Sequence, residues 1–309
     1  AFTTGGFKDN MKKIAIIGFG GAGYSAAKEA RQRDAEAEIH VYSDTDFGPY
    51  NPMLTTYYVK GTIPYDALFP FGSLEEVKNE LNLIVHPHTP VTGLDPAAKT
   101  VRLSDGSEAQ YDAILISTGA SAVKPQLEGA ELPGVFTMRT VDDAVQLKEA
   151  LSSGKVRAGL VFGASWSGIK VVEDFVEAGV DCTLMNRSRQ AFSKALFPQT
   201  AERVQADLEK KGVHLAFGRT LDHIERSEDG RLVAVANTGE RYTADLIAVT
   251  SGVRPNLAFL KGTDIAVGKG VTVNEHMESN YPGIYAAGDC CDAFETQNRT
   301  VKNLALWLN

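Results

Sequence analysis

The sequence IAIIGFGGAG at residues 14–23 decides the fold of this chain. Its apolar start predicts a buried strand, and Gly18, Gly20 and Gly23 complete the pattern G-x-G-x-x-G ahead of a helical stretch and a second strand at 38–42. Glycine lets the backbone approach a pyrophosphate closely, and the N–H groups of the following helix point at its negative charge. One such turn is a weak signal, because tight connections between strands and helices are common.

A second unit of the same kind has the sequence GLVFGASWSG at residues 159–168, followed by a helical stretch and a strand at 180–185. Gly163 and Gly168 hold the first and last glycine places, while Ser165 adds a side chain at the middle one. Two strand–turn–helix–strand units of about 30 residues each are a much stronger signal than one. They indicate two dinucleotides in one protein, so that electrons can pass between them. An ordinary tight turn stays the alternative at both, and more so at the second.

Composition excludes several classes of protein. A chain of 309 residues allows about two domains with a well-buried core. The formal net charge of −8, with no basic stripe, argues against a nucleic-acid partner. No apolar run approaches the length of about 18 residues that a membrane span needs. Three cysteines without a C-x-x-C pattern predict a reducing cytoplasm. The polar residues 1–10 lack the core of a signal peptide, and we interpret them as an addition ahead of Met11.

Strands and helices alternate along the chain, which predicts a mostly parallel sheet covered by helices on both faces. A buried strand in the sequence DAILISTGA at 112–120 ends in a Thr-Gly turn, and a similar ending recurs within 244–255. We expect each of these to mark a crossing between two domains. The sequence GIYAAGDCCD at 283–292 predicts a further strand that runs into Gly288 and Asp289.

In order and spacing, these five segments resemble the two-dinucleotide-binding flavoproteins, also called pyridine nucleotide–disulfide oxidoreductases, over residues 11–309. The resemblance implies an α/β fold with two Rossmann-like domains, in which an NAD(P)H domain (120–247) is inserted into a split FAD domain (11–119 and 248–309). It also implies that Asp289 contacts the ribityl chain of FAD. The cofactor-binding residues implied are Gly18, Gly20, Gly21, Ala22, Gly23, Thr118, Gly119, Gly252, Gly288 and Asp289 for FAD and the crossings, and Gly163, Ser165, Trp166 and Gly168 for NADPH or NADH.

Members of this family usually continue into a dimerisation domain. This chain stops at residues 304–309, where the last helix of the family's FAD domain is only beginning. We therefore expect the dimerisation domain to be absent from this chain. For the assembly of this chain, two alternatives stay open: a homodimer, and a subunit of a larger complex.

The thiol chemistry of the family is missing. The sequence NPMLTTYYVKG at 51–61 aligns with the single-cysteine branch of the family, related to CoA-disulfide reductases, and Met53 takes the place of the cysteine. A thioether forms neither a thiolate nor a mixed disulfide. We expect Met53 and Tyr57 to pack close to the flavin ring, and Cys290 and Cys291 to be buried rather than redox-active. The chain thus resembles the flavin modules that serve ferredoxin, rubredoxin and nitrite reductase.

The residues at the ends of two strands are expected to determine which nucleotide each unit binds. NADH-binding members carry an acid at the end of the strand that follows the second turn, and here that residue is Asn186. Arg187 falls where NADPH-using members place an arginine, whose guanidinium pairs with a 2′-phosphate. NADPH is therefore favoured over NADH, and a solvated strand end is the alternative. In the first unit Ser43, with Asp44 next to it, replaces the glutamate that usually holds the adenosine ribose of FAD.

Two residues, one in the second turn and one just after it, leave open whether this turn binds a nucleotide. Trp166 stands where many members carry an aromatic gate over the flavin, although it could equally pack between domains. Lys170 replaces a glutamate common in the family. Together with Ser165, it leaves open that nucleotide binding is weakened or lost.

His86 and His88 could bind a metal ion, but they lack a third ligand nearby, so we expect a surface loop and no metal site.

We expect a cytoplasmic FAD-dependent NAD(P)H oxidoreductase that passes hydride from NAD(P)H to flavin and then electrons to a protein or small-molecule acceptor. No side chain stands out as a catalytic acid or base, because the flavin carries the chemistry. The first alternative is a non-catalytic FAD-binding subunit with a structural or redox-sensing role. The second is a thiol reductase whose cysteine lies outside this sequence.

Overall fold

The computed structural model describes residues 11–295 and 300–303. These residues divide into two compact units, each built around a five-stranded parallel sheet. The first unit comprises the described part of 11–50, 69–120 and 255–303, and the second comprises Asn51–Leu68 and Ser121–Arg254. The expected addition at 1–10 and the expected last helix at 304–309 lie outside the described residues.

Six α-helices occur in the described ranges, and two of them begin at a reciprocal cap. The side chains of Ser73 and Glu76 each bond the backbone N–H of the other, as do those of Thr140 and Asp143, so orphan donors of the first turn are satisfied. The helices are α1 (Gly21–Arg33), α2 (Thr55–Lys60), α3 (Leu74–Glu80), α4 (Val141–Ser152), α5 (Trp166–Glu177) and α6 (Pro198–Lys210), and short 3-10 helices cover Pro52–Leu54, Tyr65–Leu68 and Ala258–Leu260.

The described residues also form a series of short strands, most of them three to five residues long. They are β1 (Lys13–Ile17), β2 (Glu38–Tyr42), β3 (Ile84–His86), β4 (Val91–Asp95), β5 (Thr100–Leu103), β6 (Glu108–Gln110), β7 (Ala113–Ile116), β8 (Ala120–Ala122), β9 (Val135–Thr137), β10 (Ala158–Phe162), β11 (Asp181–Asn186), β12 (His214–Phe217), β13 (Leu221–Arg226), β14 (Leu232–Ala236), β15 (Arg241–Ala244), β16 (Leu246–Val249), β17 (Val253–Pro255), β18 (Val271–Thr272), β19 (Ile284–Ala286), β20 (Cys291–Glu295) and β21 (Thr300–Asn303).

The two parallel sheets arrange four of their five strands in the same order. They differ at one edge, because β19 follows the other four strands of its sheet in the chain and β9 precedes the other four of its own. Their strand orders are β19-β7-β1-β2-β3 in the first unit and β9-β16-β10-β11-β12 in the second. In both, the strand that precedes a glycine turn is central, and the next strand in the chain lies beside it in parallel register. The carboxyl ends of parallel strands meet at one edge of a sheet, which is where ligands bind in folds of this kind.

Helices cover one face of each parallel sheet, and an antiparallel three-stranded sheet covers the other. On β1, Ile16 packs with buried residues of α1 and α3, whereas Ala15 and Ile17 pack with residues of β4 and β5. In the second unit Val161 packs with α4 and α5, and Leu160 with β13–β15. The expectation of helices on both faces is therefore wrong, because residues 91–110 and 221–244 form antiparallel sheets instead.

Candidate functional site

The first glycine turn brings three glycines together in three different roles. Gly18 ends β1 at a φ of +95°, in the region that favours glycine, and a Cβ there would lie 2.4 Å from the carbonyl oxygen of Ser117. Gly23 passes so close to Gly18 that a Cβ on Gly23 would lie 2.3 Å from the carbonyl oxygen of Gly18. The first glycine thus permits the turn, and the last lets α1 pack against the end of β1.

Gly20 and Gly21 face open space at the start of α1. Apart from their chain neighbours and the backbone of α1 itself, no described heavy atom lies within 4 Å of the position that a Cβ would take at either residue. The backbone N–H groups of the first turn of α1 lack intrahelical partners and carry partial positive charge. A pyrophosphate can therefore approach the backbone here, so the residues present fit the phosphate groups of a dinucleotide.

The other predicted residues of the first unit lie at the same edge of its sheet. Gly288 turns at a φ of +82° after β19, and a Cβ there would lie 3.1 Å from the Cβ of Ala22 in the first turn of α1. Asp289 follows directly and is half-buried. The structure thus brings the Gly-Asp turn against the first glycine turn, although 265 residues separate them in sequence.

Asn256 holds the Thr-Gly crossing of the first unit in place. Its backbone carbonyl accepts a hydrogen bond from the Thr118 hydroxyl at 2.7 Å, and its side-chain amide donates to the Thr118 carbonyl at 3.0 Å. Its backbone N–H donates to the carbonyl of Gly119, which has a φ of +63°. Sequence reasoning missed Asn256, because the two partners are 138 residues apart. In the second unit Gly252, at a φ of +146°, accepts from the backbone N–H of Val123.

The end of β2 presents one carboxylate and one engaged hydroxyl. Ser43 is buried, and its hydroxyl oxygen accepts from the backbone N–H of Thr45 at 3.2 Å. Asp44 is exposed, and no hydrogen bond or ion pair with a described residue engages its carboxylate. Of the two residues predicted to hold the adenosine ribose, Asp44 therefore has the free acceptor.

The second glycine turn repeats the geometry of the first. Gly163 has a φ of +117°, and a Cβ on Gly168 would lie 1.9 Å from the Gly163 carbonyl oxygen. The Ser165 hydroxyl donates to the carbonyl of Thr250 at 3.3 Å and accepts from the backbone N–H of Gly168 at 3.4 Å. The added hydroxyl is thus turned back to the end of β16 and caps α5, where it satisfies one orphan donor.

Asn186 organises the end of β11 rather than presenting an acceptor to a ligand. Its side-chain oxygen accepts from the backbone N–H of Ala164, and its side-chain nitrogen donates to the carbonyls of Ser188 at 3.1 Å and Gln190 at 3.2 Å. Arg187 is exposed between these bonded residues, and no described carboxylate lies within salt-bridge distance of its guanidinium. This strand end offers a cation and no free carboxylate.

Trp166 and Lys170 project from one side of α5, four residues apart. Trp166 is 48% exposed and packs its ring against Phe192, with 4.4 Å between the ring centroids. The Lys170 ammonium lies 2.7 Å from the Glu173 carboxylate and 4.6 Å from the centroid of the Tyr57 ring. Hydrogen bonds from Lys170 and then Lys60 hold the pKa of Glu173 at about 2. The charge of Lys170 is therefore balanced locally.

No thiol is available where the family carries one. Met53 lies 68% exposed in the 3-10 helix that precedes α2. All three cysteines are free and buried, and burial raises the pKa of both Cys182 and Cys291 to about 12. The Cys290 thiol donates to the carbonyl of Ile116 at 3.3 Å. These thiols have the properties of packed core groups.

His86 and His88 do not converge on a metal position. The His86 ring stacks on Tyr42, and its Nε2 lies 2.9 Å from Nδ1 of His40. His88 instead lies beside Asp46 at 3.6 Å. The part of the chain that the structure describes contains no group of three or more potential metal ligands. Within the same residues, no α-helix combines the length and apolar character that a membrane span requires.

The sequence is similar to that of proteins from other organisms over most of its length. The chain is 30% identical over 288 residues to an NADH oxidase from Methanocaldococcus jannaschii, which covers 92% of this chain and 64% of that protein. It is 30% identical over 282 residues to a rubredoxin-NAD(+) reductase from Ectopseudomonas oleovorans, covering 91% of this chain and 72% of the relative. The chain thus spans less than two thirds of the NADH oxidase and rather more of the rubredoxin reductase.

Solved structures of other proteins superpose on most of this chain. An NAD-dependent persulfide reductase from A. fulgidus superposes with a TM-score of 0.89 at 26% identity, covering 96% of this chain and 56% of that one. Putidaredoxin reductase in its covalent complex with putidaredoxin matches with a TM-score of 0.87 at 23% identity, covering 94% and 70%. These matches confirm the predicted α/β fold with Rossmann-like units.

A family model described as pyridine nucleotide-disulphide oxidoreductase matches residues 12–306, nearly the whole chain. The glycine turns, the crossings and the Gly-Asp turn all fall inside that match, which confirms the family resemblance deduced from them. The chain belongs to the pyridine nucleotide-disulphide oxidoreductase family.

Proposed function

We propose that this chain is an FAD-dependent NAD(P)H oxidoreductase that passes electrons to a protein or small-molecule acceptor without a redox disulfide. The observation that carries the proposal is the repeated geometry of the two glycine turns, each at the carboxyl edge of its own parallel sheet. Each turn combines a positive φ at its first glycine with a helix packed tightly through its last glycine. One protein with two such turns is equipped for two dinucleotides.

We assign FAD to the first unit. Gly18, Gly20 and Gly23 would cradle the pyrophosphate, and the open space at Gly20 gives its oxygens access to the N–H groups of α1. The exposed carboxylate of Asp44 is a suitable acceptor for the adenosine ribose hydroxyls. Asp289, at the turn that packs on Ala22, would bond the chain that links the phosphates to the flavin ring.

We assign the nicotinamide nucleotide to the second unit, with NADPH preferred. The side-chain oxygen of Asn186 accepts from Ala164, and its nitrogen donates to two carbonyls. This strand end therefore offers no carboxylate to accept from a ribose 2′-hydroxyl. Arg187 is exposed beside it and is chemically suited to a 2′-phosphate. The Ser165 hydroxyl turns back to Thr250 and takes the Gly168 N–H of the first turn of α5, which leaves the N–H groups of Trp166 and Ser167 for a phosphate.

When bound, FAD supplies the redox chemistry that links NAD(P)H to the acceptor. The chain itself binds and orients the two nucleotides. The electron pair of NAD(P)H suits either two one-electron metal centres or one small two-electron acceptor. Relatives named as rubredoxin-NAD(+) reductase and nitric oxide reductase FlRd-NAD(+) reductase support a protein acceptor. Met53 excludes thiol exchange at the position where the single-cysteine branch performs it.

We also place the protein in the cytoplasm, because its three cysteines are free, and a reducing compartment preserves free thiols. Immunodetection in cytoplasmic and envelope fractions checks this placement. Recovery of the protein mainly in the envelope fraction would contradict it.

An anaerobic titration tests the function directly. NADPH or NADH is added to the purified protein while the oxidised-flavin absorbance near 450 nm, the usual band of such cofactors, is followed. Stoichiometric bleaching by NADPH at low concentration is the expected result. A yellow protein that neither nucleotide bleaches would instead favour a non-catalytic structural or redox-sensing role.

A further inference from the structure

Two buried hydroxyls occupy the same place in the two units, each at the first residue of a turn that was predicted to mark a crossing between domains. Ser117 follows β7, the strand beside β1, and Thr250 follows β16, the strand beside β10. Their side chains are buried, with 5% and 9% of each residue exposed. Their backbone N–H groups donate to the last residues of β1 and β10, at 2.8 Å to Ile17 and 2.9 Å to Phe162. The two positions are therefore equivalent.

Both hydroxyls donate to the carbonyl of the first glycine of a turn. The Ser117 Oγ lies 2.8 Å from the Gly18 carbonyl oxygen and 3.2 Å from that of Ile17. The Thr250 Oγ1 lies 3.0 Å from the Gly163 carbonyl oxygen and 3.2 Å from that of Phe162. Each hydroxyl thus fixes the peptide plane at which the chain leaves the strand.

The same hydroxyls lie directly under the last glycine of each turn. A Cβ on Gly23 would approach the Ser117 Oγ to 3.0 Å, and a Cβ on Gly168 would approach the Thr250 Oγ1 to 2.7 Å. The first turn of each helix is therefore packed on the carbonyl that the hydroxyl holds. Any rotation of that peptide would displace the helix and its free N–H groups.

We propose that Ser117 and Thr250 are the positioning residues of the two nucleotide sites, Ser117 for the FAD site and Thr250 for the NAD(P)H site. The proposal rests on the proposed function for the identity of the two ligands. Each hydroxyl acts through the glycine turn of its own unit, since its hydrogen bonds with described residues are confined to that unit. Loss of a hydroxyl therefore weakens one site and leaves the other unchanged.

Variants that remove only the hydroxyl test this division. Ser117→Ala removes it from the first turn, and Thr250→Val removes it from the second while keeping the shape of the side chain. Thr250→Ser keeps the hydroxyl and serves as the rescue variant. Thr263→Ala is the matched control in the first unit, because the Thr263 hydroxyl also donates to a backbone carbonyl, at 2.8 Å to Leu260, away from the glycine turn.

Two binding measurements give readouts that do not depend on turnover. FAD affinity is measured by quenching of flavin fluorescence on the apoprotein, and NADP+ affinity by calorimetry on the oxidised FAD-loaded protein. We expect Ser117→Ala to weaken FAD binding about tenfold and Thr250→Val to weaken NADP+ binding about tenfold, since a buried acceptor loses its donor. Each variant should leave the other affinity within about twofold of the original, and Thr250→Ser should retain NADP+ binding.

Equal losses at both sites in either variant, or a loss in Thr263→Ala as large as in Ser117→Ala, would show a general effect on stability and overturn the proposal. Unchanged affinities in both hydroxyl variants would overturn it as well. Failure of the proposed function is a separate result. In that case the unaltered protein neither binds NADP+ nor is bleached by NADPH, while the FAD measurement still tests Ser117.

Discussion

The side-chain oxygen of Asn186 accepts a hydrogen bond from the backbone N–H of Ala164 at 3.1 Å, so the end of β11 is tied to the glycine turn that follows β10. The side-chain nitrogen of Asn186 donates to the carbonyls of Ser188 and Gln190. An aspartate at this position could keep the first bond but would place its carboxylate against two carbonyl oxygens. The amide therefore shapes the segment that carries Arg187.

Asn186→Asp should shift nucleotide preference away from NADPH. The new carboxylate would repel a 2′-phosphate and offer an acceptor to a 2′-hydroxyl. We expect the ratio of kcat/KM for NADPH to that for NADH to fall about tenfold or more, a change of about 1.4 kcal/mol. Asn280→Asp is the control, because Asn280 also accepts from a backbone N–H, that of Ala266, and donates to a backbone carbonyl, that of Asp264, but lies in the other unit. An unchanged ratio would contradict our assignment of this strand end.

Arg187→Ala tests the cation itself. Its guanidinium is exposed, so the substitution should leave folding unaffected. A charge-assisted hydrogen bond contributes about 1.5–3 kcal/mol, so we expect NADPH affinity to fall about 10- to 150-fold while NADH affinity changes little. Arg203→Ala, an exposed arginine on α6, is the matched control. An equal loss for both nucleotides would argue against a 2′-phosphate contact.

Two glycines of the first turn should respond differently to the same change. A Cβ on Gly20 meets open space, so Gly20→Ala should fold with nearly unchanged stability but bind FAD more weakly, by about tenfold. A Cβ on Gly23 would press on the Gly18 carbonyl, so Gly23→Ala should destabilise the apoprotein by about 1–3 kcal/mol. Urea unfolding of the apoprotein and flavin fluorescence quenching separate the two effects. If both variants lost only stability, the open space at Gly20 would have no role in binding.

Local pattern was sufficient to predict the parts of this fold that depend on neighbouring residues. The glycine turns at Gly18 and Gly163 could be predicted because a strand, a positive φ and a helix follow one another in sequence. The antiparallel sheets were missed although Asp105-Gly106 and Asp229-Gly230 are typical of tight hairpin turns. Two of these strands, β5 and β6, are only four and three residues long, so their alternation was too brief to outweigh the chain-wide pattern of strands and helices.

Contacts between distant residues could not be predicted. Asn256 bonds Thr118 across 138 residues, and Ser117 bonds Gly18 across 99 residues. Residues 51–68 join the second unit although they precede it by about fifty residues, chiefly because Val59 is buried with residues of α4 and α5. Each of these contacts depends on tertiary packing between segments that are distant in sequence, and no local signal in the sequence marks it.

The thiols of the folded protein should be unreactive. Cys182, Cys290 and Cys291 are buried, and burial raises the pKa of each thiol, so the reactive thiolate is scarce at neutral pH. We expect a thiol reagent such as a disulfide dye to label none of them within minutes in buffer and all three in denaturant. Met53→Cys should add one rapidly labelled group, because position 53 is exposed. Fast labelling of the unaltered protein would show that a buried thiol becomes accessible.

Asp174 should make the protein less stable as pH rises. Asp174 lies on α5 and is 3% exposed, and its Oδ2 has no hydrogen-bond partner in the described part of the chain. Burial, with repulsion from Glu173 and Glu177 only partly offset by Lys170 and Lys60, raises the pKa of this carboxyl to about 8. In the unfolded chain the carboxyl ionises near pH 4. The folded state therefore holds a proton that the unfolded state has lost between these two values.

This difference in bound protons determines how the stability of the protein depends on pH. Because the native state binds more protons than the unfolded state between about pH 4 and pH 8, the free energy of unfolding falls as pH rises through this window. Asp174→Asn keeps a neutral side chain at every pH, so it should match the original protein near pH 4 and exceed it by on the order of several kcal/mol at pH 8. Urea unfolding at several pH values checks this, with the exposed Asp264→Asn as control. Parallel pH profiles for the original protein and Asp174→Asn would show that Asp174 is ionised in the native state.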